Sequence, residues 1–595
     1  MLTLIAAATP LLAGPLLPSE AHELTRLRSR APASTVVWLE TGALTPLLGQ
    51  GFDHPLLAGL LENPLVQDEL NAKGQDPIAA AAAVEALIGT SPFELAHALA
   101  SGGIAFGMTD LTPGAESSFL FLRGLDPEAM EDALGEVFET LTNLKILRAP
   151  RAEERRSLDP SVRRSYRVRG SDLCIAWLRE GTLAIASSWK TLVDCASVKK
   201  RSTAIAEARR TAELESLSFA WLDLDGIEDD VDLKDLRDVA SDPGAQLVLG
   251  PVLSYLGRAR TLSLEASLAA DRVHVRITGN GVDLGPGTTL FPTESPTQSA
   301  DEAPFLFTDG LDAQAQLHRD IGAFFRSRTK LFPPRAQPEL AEAESNLALL
   351  VGGPDALESL LNAILPTISL TASPIDFPEN ATPDVPLPGL LASIRLDEPE
   401  RNGARLTSAF QSAVSLTNVE QAMQGRTGRA LAQRAVGDTT VTTTSLPAPA
   451  AGESVDLRYN LMPACALTGD AFLLGSRPEP VLRAVAASPA DEPSSMGTAP
   501  ITTASPWINV DRISIRGSSV LDLLLRQRDL LVMGGVLEDG LTEARASARA
   551  DTLLSLTARV VRAEFGSEWM PVASQPDKRA TGATLRTEFT LHLAR

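Results

Sequence analysis

The sequence predicts an α+β fold of two pseudo-equivalent domains from an internal duplication, each a largely antiparallel sheet with helices on one face. Three observations predict it. Short apolar runs come in adjacent pairs joined by Gly or Asp turns, as antiparallel hairpins do. Segments with helical periodicity separate those pairs, so the pattern is not that of βαβ crossovers. The succession of strand and helix patterns in residues 31–285 then returns, in the same order, in residues 303–595.

The chain begins with "MLTLIAAATPLLAGPLLPSEA", an apolar stretch with Ser19 and Ala21 at the −3 and −1 positions of a cut after Ala21. Residues 1–21 are therefore expected to be a signal peptide, although no Lys or Arg precedes the apolar run. Pro10, Pro15 and Pro18 argue against a spanning helix, and no later window is long and apolar enough to cross a bilayer. An exported, periplasmic or extracellular protein follows.

"APASTVVWLETGALTPLL" (31–48) reads as strand, turn and helix, and is set against "ADEAPFLFTDGLDAQAQL" (300–317). Helical patterns follow at 55–72 and 77–88. "SPFELAHALASGGIAFGM" (91–108) matches "GPDALESLLNAILPTISLT" (353–371), pairing Pro92 with Pro354 and Ile104 with Ile368. "FLFLRGLDPEAMEDAL" (119–134) matches "LLASIRLDEPERNGARL" (390–406): a strand, then Asp126 or Asp397 with Pro close behind, then a helix, which in the first copy runs over 127–143. The hairpin "LCIAWLREGTLAIASSWKTLVDCA" (173–196) matches 461–486, pairing Gly181 with Gly469 and Ser188 with Ser476. A helix is expected at 203–214. "FAWLDLDGI" (219–227) matches "SPWINVDRI" (505–513), setting Trp221 on Trp507 and Asp225 on Asp511. A helix at 230–257 and a hairpin over 259–268 and 271–278 close the copy. Residues 286–302 lie in a stretch rich in Gly, Pro, Ser and Thr, which is linker composition. A period this long belongs to duplicated domains rather than to a solenoid.

This layout resembles a group of exported bacterial proteins of unknown function. Their repeats open with Pro, a polar residue and a strand, as in "APASTVVWLE", and carry a "GGIAFGM"-like strand and a "GTLAIASS"-like hairpin leading into a helix. The resemblance covers most of residues 31–285 and, more faintly, 301–595. It implies export and brings no known catalytic residues.

Charge and composition exclude some partners. The net charge of −22 repels phosphate backbones and anionic membranes, so nucleic acid is not an expected partner. Aromatic residues make up only 5%, thin for stacking on bases or sugars. Cys174, Cys195 and Cys465 form no CxxC, so neither a zinc site nor a disulfide framework is indicated. No cofactor or metal is expected. "SSWK" (187–190) lacks the partner motifs of a serine acyl-enzyme and reads as a helix cap before a solvated Lys. The acidic run "DLDGIEDDVD" (223–232) lacks the spacing of a calcium loop.

Two sets of residues stand out. Arg151, Arg155, Arg156, Arg163 and Arg164 belong to the one basic run of an acidic chain, and "QGRTGRALAQR" in the second copy is basic too. They read as a solvated connection, or else as a patch for an anion or an acidic partner. His274 and His592 both sit in the last strand of a copy, alternating with apolar neighbours. They read as half-exposed strand residues, or as a ligand-binding or metal pair across the domain interface. What the two copies share is apolar positions, turn glycines and caps, which favours an exported, non-enzymatic binding or scaffold protein whose partner is an unknown protein or a small apolar ligand. A periplasmic carrier of an apolar ligand in a cavity is the alternative, and a hydrolase with an unrecognised site is the second.

Overall fold

Apolar residues at consecutive rather than alternate strand positions decide the layering of this chain. "FLFLR", "CIAWL" and "TLAIA" each carry apolar side chains on both faces, as strands covered on both sides do. The computed structural model describes residues 24–42, 76–112, 117–178, 180–196, 202–210, 218–227, 259–269, 272–282, 311–331, 334–377, 386–447, 457–486, 508–538, 540–570 and 583–593, with a few positions between them.

The strands of the first half are β1 (Val37–Thr41), β2 (Gly103–Met108), β3 (Ser118–Arg123), β4 (Leu147–Arg148), β5 (Val162–Val168), β6 (Cys174–Leu178), β7 (Thr182–Ala186), β8 (Ser218–Asp223), β9 (Thr261–Ala269) and β10 (Arg272–Val282). Those of the second are β11 (Ala313–His318), β12 (Ile364–Ser373), β13 (Gly389–Leu396), β14 (Ala430–Val436), β15 (Thr439–Ser445), β16 (Ala464–Thr468), β17 (Ala471–Gly475), β18 (Ile508–Arg516), β19 (Val560–Met570) and β20 (Ala583–Leu593). The helices are α1 (Pro77–Ile88), α2 (Pro92–Ala100), α3 (Pro127–Asn143), α4 (Ala152–Ser157), α5 (Trp189–Ala196), α6 (Thr203–Arg210), α7 (Leu224–Ile227), α8 (Ile321–Leu331), α9 (Gln337–Val351), α10 (Pro354–Asn362), α11 (Pro399–Met423), α12 (Pro478–Ala486), α13 (Gly517–Arg526), α14 (Arg528–Leu537) and α15 (Glu543–Ala558).

Among the described residues twenty strands form one sheet, every pairing antiparallel. From its middle pair, β10 against β20, the sheet runs one way through β9, β8, β1, β2, β3, β7, β6, β5 and β4. It runs the other way through β19, β18, β11, β12, β13, β17, β16, β15 and β14.

The expectation of helices on one face is corrected: they lie on both. Leu99 of α2 and Met130, Leu134 and Phe138 of α3 pack with Trp177 and Leu183. The adjacent positions Ala176 and Ala184 point the other way, joining Trp38, Phe119 and Phe121 against Leu192 and Cys195 of α5, Ile205 of α6 and Leu24 and Leu27. In the second half Val481 of α12 packs on Ala464, Ala466 and Leu473, while Leu406 and Phe410 of α11 pack on Cys465 and Phe472 from the opposite side. Residues of consecutive sequence number thus go to different cores, because strand side chains alternate faces.

The helices at 77–88 and 127–143 form over the expected residues. Asp126 caps α3, its carboxylate accepting the N–H groups of Glu128 and Ala129 while Pro127 occupies the first turn. The N-cap position of α11 is Glu398, one residue beyond Asp397, with a left-handed backbone and no capping hydrogen bond from its side chain. The helices expected at 55–72 and 230–257, the linker and residues 1–21 lie outside the described residues. The match of 31–48 with 300–317 is out of register, since the strand of the second segment is Ala313–His318. His318 ends that strand and is buried. The hairpin glycines sit where expected, Gly181 at φ 74° and Gly469 at φ 57°, which a side chain would strain.

Candidate functional site

Alternation along β9, β10 and β20 puts Glu265, Arg276 and Glu588 on one face of the sheet. Register then sets them in one row. Glu40 of β1 lies opposite Phe219 of β8, Phe219 opposite Glu265, Glu265 opposite Arg276, and Arg276 opposite Glu588. The row crosses the middle of the sheet and is covered in the first half by α6 and the helical residues 24–28, which bring in Arg209 and Arg28.

Charges alternate along it. Arg28 Nε donates to both oxygens of Glu40 at 2.7 and 2.8 Å, and the Trp38 indole N–H donates to Oε2 at 2.9 Å. Arg209 bridges Glu40 and Glu265 at 3.9 and 3.6 Å, with its guanidinium 5.4 Å above the Phe219 ring. Arg276 lies 3.8 Å from Glu265 and places Nε and Nη2 at 2.7 and 2.5 Å from one oxygen of Glu588. Beyond it, Arg586 is 3.8 Å from Glu568.

Glu40 and Glu265 are 4% and 2% exposed, so these carboxylates depend on their guanidinium partners in place of water. Burial pushes the Glu40 carboxyl above its usual range, and Arg28 and Arg209 oppose that only in part. Burial lowers the Arg209 guanidinium, with Glu40 and Glu265 pulling the other way. Glu568 is raised by burial, with Arg586 opposing. The row orders charge across the middle of the sheet, each carboxylate set beside a guanidinium.

His274 and His592 lie on adjacent strands and on the same face, but out of register. Thr590 is directly opposite His274, and Arg272 is directly opposite His592. His274 Nδ1 is 2.8 Å from the Thr590 hydroxyl, and His592 Nε2 is 3.2 Å from Glu564. Burial lowers the His274 imidazole, Arg276 and Arg272 adding to this while Glu588 opposes. Among the described residues no group of three or more His, Cys, Asp or Glu could hold a metal ion.

The five arginines come together on α4 and β5 at the outer end of the first half. Arg151, Arg155, Arg156 and Arg164 are exposed, and Arg163, also exposed, pairs with Glu131. Arg167 beside them pairs with Glu154 at 2.7 Å and lies 5.6 Å from the Trp189 ring. Ser188 accepts the Thr191 N–H at 3.2 Å and Lys190 is exposed, as a cap and a solvated Lys should be. Asp225 is exposed beside Arg260, whereas Asp511 is buried on β18 and bound by both ends of the buried Arg319 guanidinium at 2.7 and 2.9 Å, so the two are not counterparts.

All three cysteines are free and buried. Burial pushes the Cys195 thiol far up and Cys465 to about 11, so neither offers a thiolate at neutral pH. A cavity of about 680 Å³ lies between α9 and α10, lined by Ala341, Glu344, Ser345, Ala348, Leu349 and Pro354, on the helices rather than inside the sheet.

Glu40, Glu265, Arg276 and Glu588 were not among the residues that stood out in the sequence. For Glu265, Arg276 and Glu588 the signal was a charged residue at a strand position whose neighbours two away are also polar, which marks a face but not its partner; Glu40, between Trp38 and Gly42, carried no such signal. Comparison with protein-family models, curated proteins and solved structures gives no match.

Proposed function

We propose that this chain is a non-enzymatic binding or scaffold protein built by duplication of one α+β unit, the two copies joined edge to edge at β10 and β20. The observation that carries the reading is the order of the sheet, which repeats the same succession of connections outward on both sides of that pair. Local details support it. Ile104 lies opposite Thr41 and Leu122, and Ile368 opposite Leu317 and Ile394. The Ser187 hydroxyl accepts the Ser118 N–H at 3.0 Å, and the Ser476 hydroxyl accepts the Leu390 N–H at 2.9 Å, so Ser476 corresponds to Ser187 rather than Ser188. Arg123 donates to Thr182 beside the first hairpin turn, and Arg395 to Asp470 in the second.

Followed strand by strand, this register carries Arg276 onto Glu588, Trp221 onto Ser514, His274 onto Arg586 and His592 onto Asn280. The His pair is then a coincidence of composition, while Arg276 and Glu588 meet at the centre of the repeat. Twenty strands at ~4.8 Å spacing make a platform on the order of 90 Å across, suited to presenting surfaces rather than enclosing a reaction. Buried thiols, and buried carboxylates each set beside a guanidinium, weigh against the hydrolase reading. Export remains part of the proposal on the sequence of residues 1–21; N-terminal sequencing of the mature protein should begin at or near His22.

Native mass spectrometry of the full chain purified from its own host tests the reading. A co-purified protein supports the scaffold. A bound lipid-sized apolar molecule supports the carrier instead.

A further inference from the structure

The two outer ends of the sheet differ. At the first end β4 is only two residues long, and a strand that short offers little to a partner. At the other end β14 runs seven residues, Ala-Leu-Ala-Gln-Arg-Ala-Val, pairs with β15 in unbroken register, and among the described residues has no other strand beside it. Six of its residues are exposed and Val436 is half-buried. No Pro and no bulge interrupts it, and its one charge, Arg434, stands opposite the buried Val441 yet is itself exposed. Every second residue of an edge strand turns its N–H and C=O outward, so about three or four such pairs face away from β15.

The charge at this edge is opposite to that of the molecule. Residues 421–437 contain Arg426, Arg429 and Arg434 and no acid, in a chain of net charge −22. Arg426 and Arg434 are exposed and make no side-chain ion pair among the described residues. A second copy adding antiparallel to β14 would bring these arginines against their own equivalents in an otherwise acidic body, which like-charge repulsion disfavours. An acidic strand gains from both features: backbone pairing supplies affinity and the arginines select for carboxylates.

We propose that β14 is a strand-addition site for an extended, acidic segment of a partner protein, which joins the sheet as its next strand. The site goes beyond the scaffold reading, because it stands on the edge and its charge whether or not the halves arose by duplication.

The test uses the full chain and a fluorescent peptide of about ten residues alternating Glu with Val, a length matched to an ordinary strand. Fluorescence anisotropy should show saturable binding that weakens as salt rises. Hydrogen exchange should show new protection at the amides of residues 430–436. A variant carrying Arg426→Glu and Arg434→Glu, both side chains being exposed, should bind at least ~10-fold more weakly with unchanged circular dichroism, ~1.4 kcal/mol per tenfold. A peptide alternating Lys with Val should not bind. Three results would each overturn the proposal: no binding of the acidic peptide, binding without added protection at 430–436, or equal binding by a Pro-interrupted acidic peptide that cannot pair as a strand. Concentration-dependent dimerisation through protected 430–436 amides would likewise overturn it in favour of a second copy.

Discussion

Replacing Arg276 by Met tests the row at its centre. The guanidinium is 8% exposed and serves two carboxylates that differ in exposure. Glu588, with a side chain 35% exposed, keeps access to water, so losing its partner should cost only ~1 kcal/mol. Glu265 is 2% exposed and would be left with Arg209 at 3.6 Å as its ion-pair partner. Stranding a buried charge costs ~3–5 kcal/mol when no partner remains, and the remaining arginine puts the expectation at the lower end. Arg276→Met should therefore destabilise the chain by ~3 kcal/mol and Glu588→Gln by ~1 kcal/mol. The double variant should cost about the same as Arg276→Met alone, since Glu588 has nothing further to lose. Urea unfolding of the full chain, followed by tryptophan fluorescence and circular dichroism together, gives the numbers. A loss under ~0.5 kcal/mol for Arg276→Met, the range of an ordinary surface change, would refute the view that the seam is held by charge.

Trp221→Ala should cost ~3–5 kcal/mol in the same assay, because Trp221 is 3% exposed and packs in the cluster with Trp38. His274 sets a pH dependence. Its folded pKa lies below the ordinary 6.5, so the unfolded chain binds the proton more readily, and the stability it contributes is full above 6.5 and lost as pH falls from there through the folded value. His274→Asn should flatten that part of the stability profile, and an unchanged slope would count against the burial of the ring. The three thiols should be silent to a thiol reagent in the native protein and react together on unfolding; a fast-reacting native thiol would contradict their burial.

By itself the sequence determined the kind of element and much of its placing. Local chemistry suffices for that: Asp126 followed by Pro127 starts a helix, a glycine at 181 or 469 closes a hairpin, and paired apolar runs make antiparallel strands. The match of Ile104 with Ile368, which lies within one strand–helix unit, is the kind of pairing that the proposed duplication uses. Sequence alone set Trp221 on Trp507, which lies outside the described residues; under the proposed duplication the strand register carries Trp221 to Ser514 instead. Composition supports such matches over longer stretches but does not count the residues inserted between strands. Tertiary structure alone decided which strands are neighbours, that helices cover both faces, and that β10 meets β20 more than three hundred residues away. The charged row depends on that meeting. Glu265, Arg276 and Glu588 each look like solvated strand residues in sequence, because a charge carries no mark of its partner; only register, which shifts every side chain together, brings them into one line.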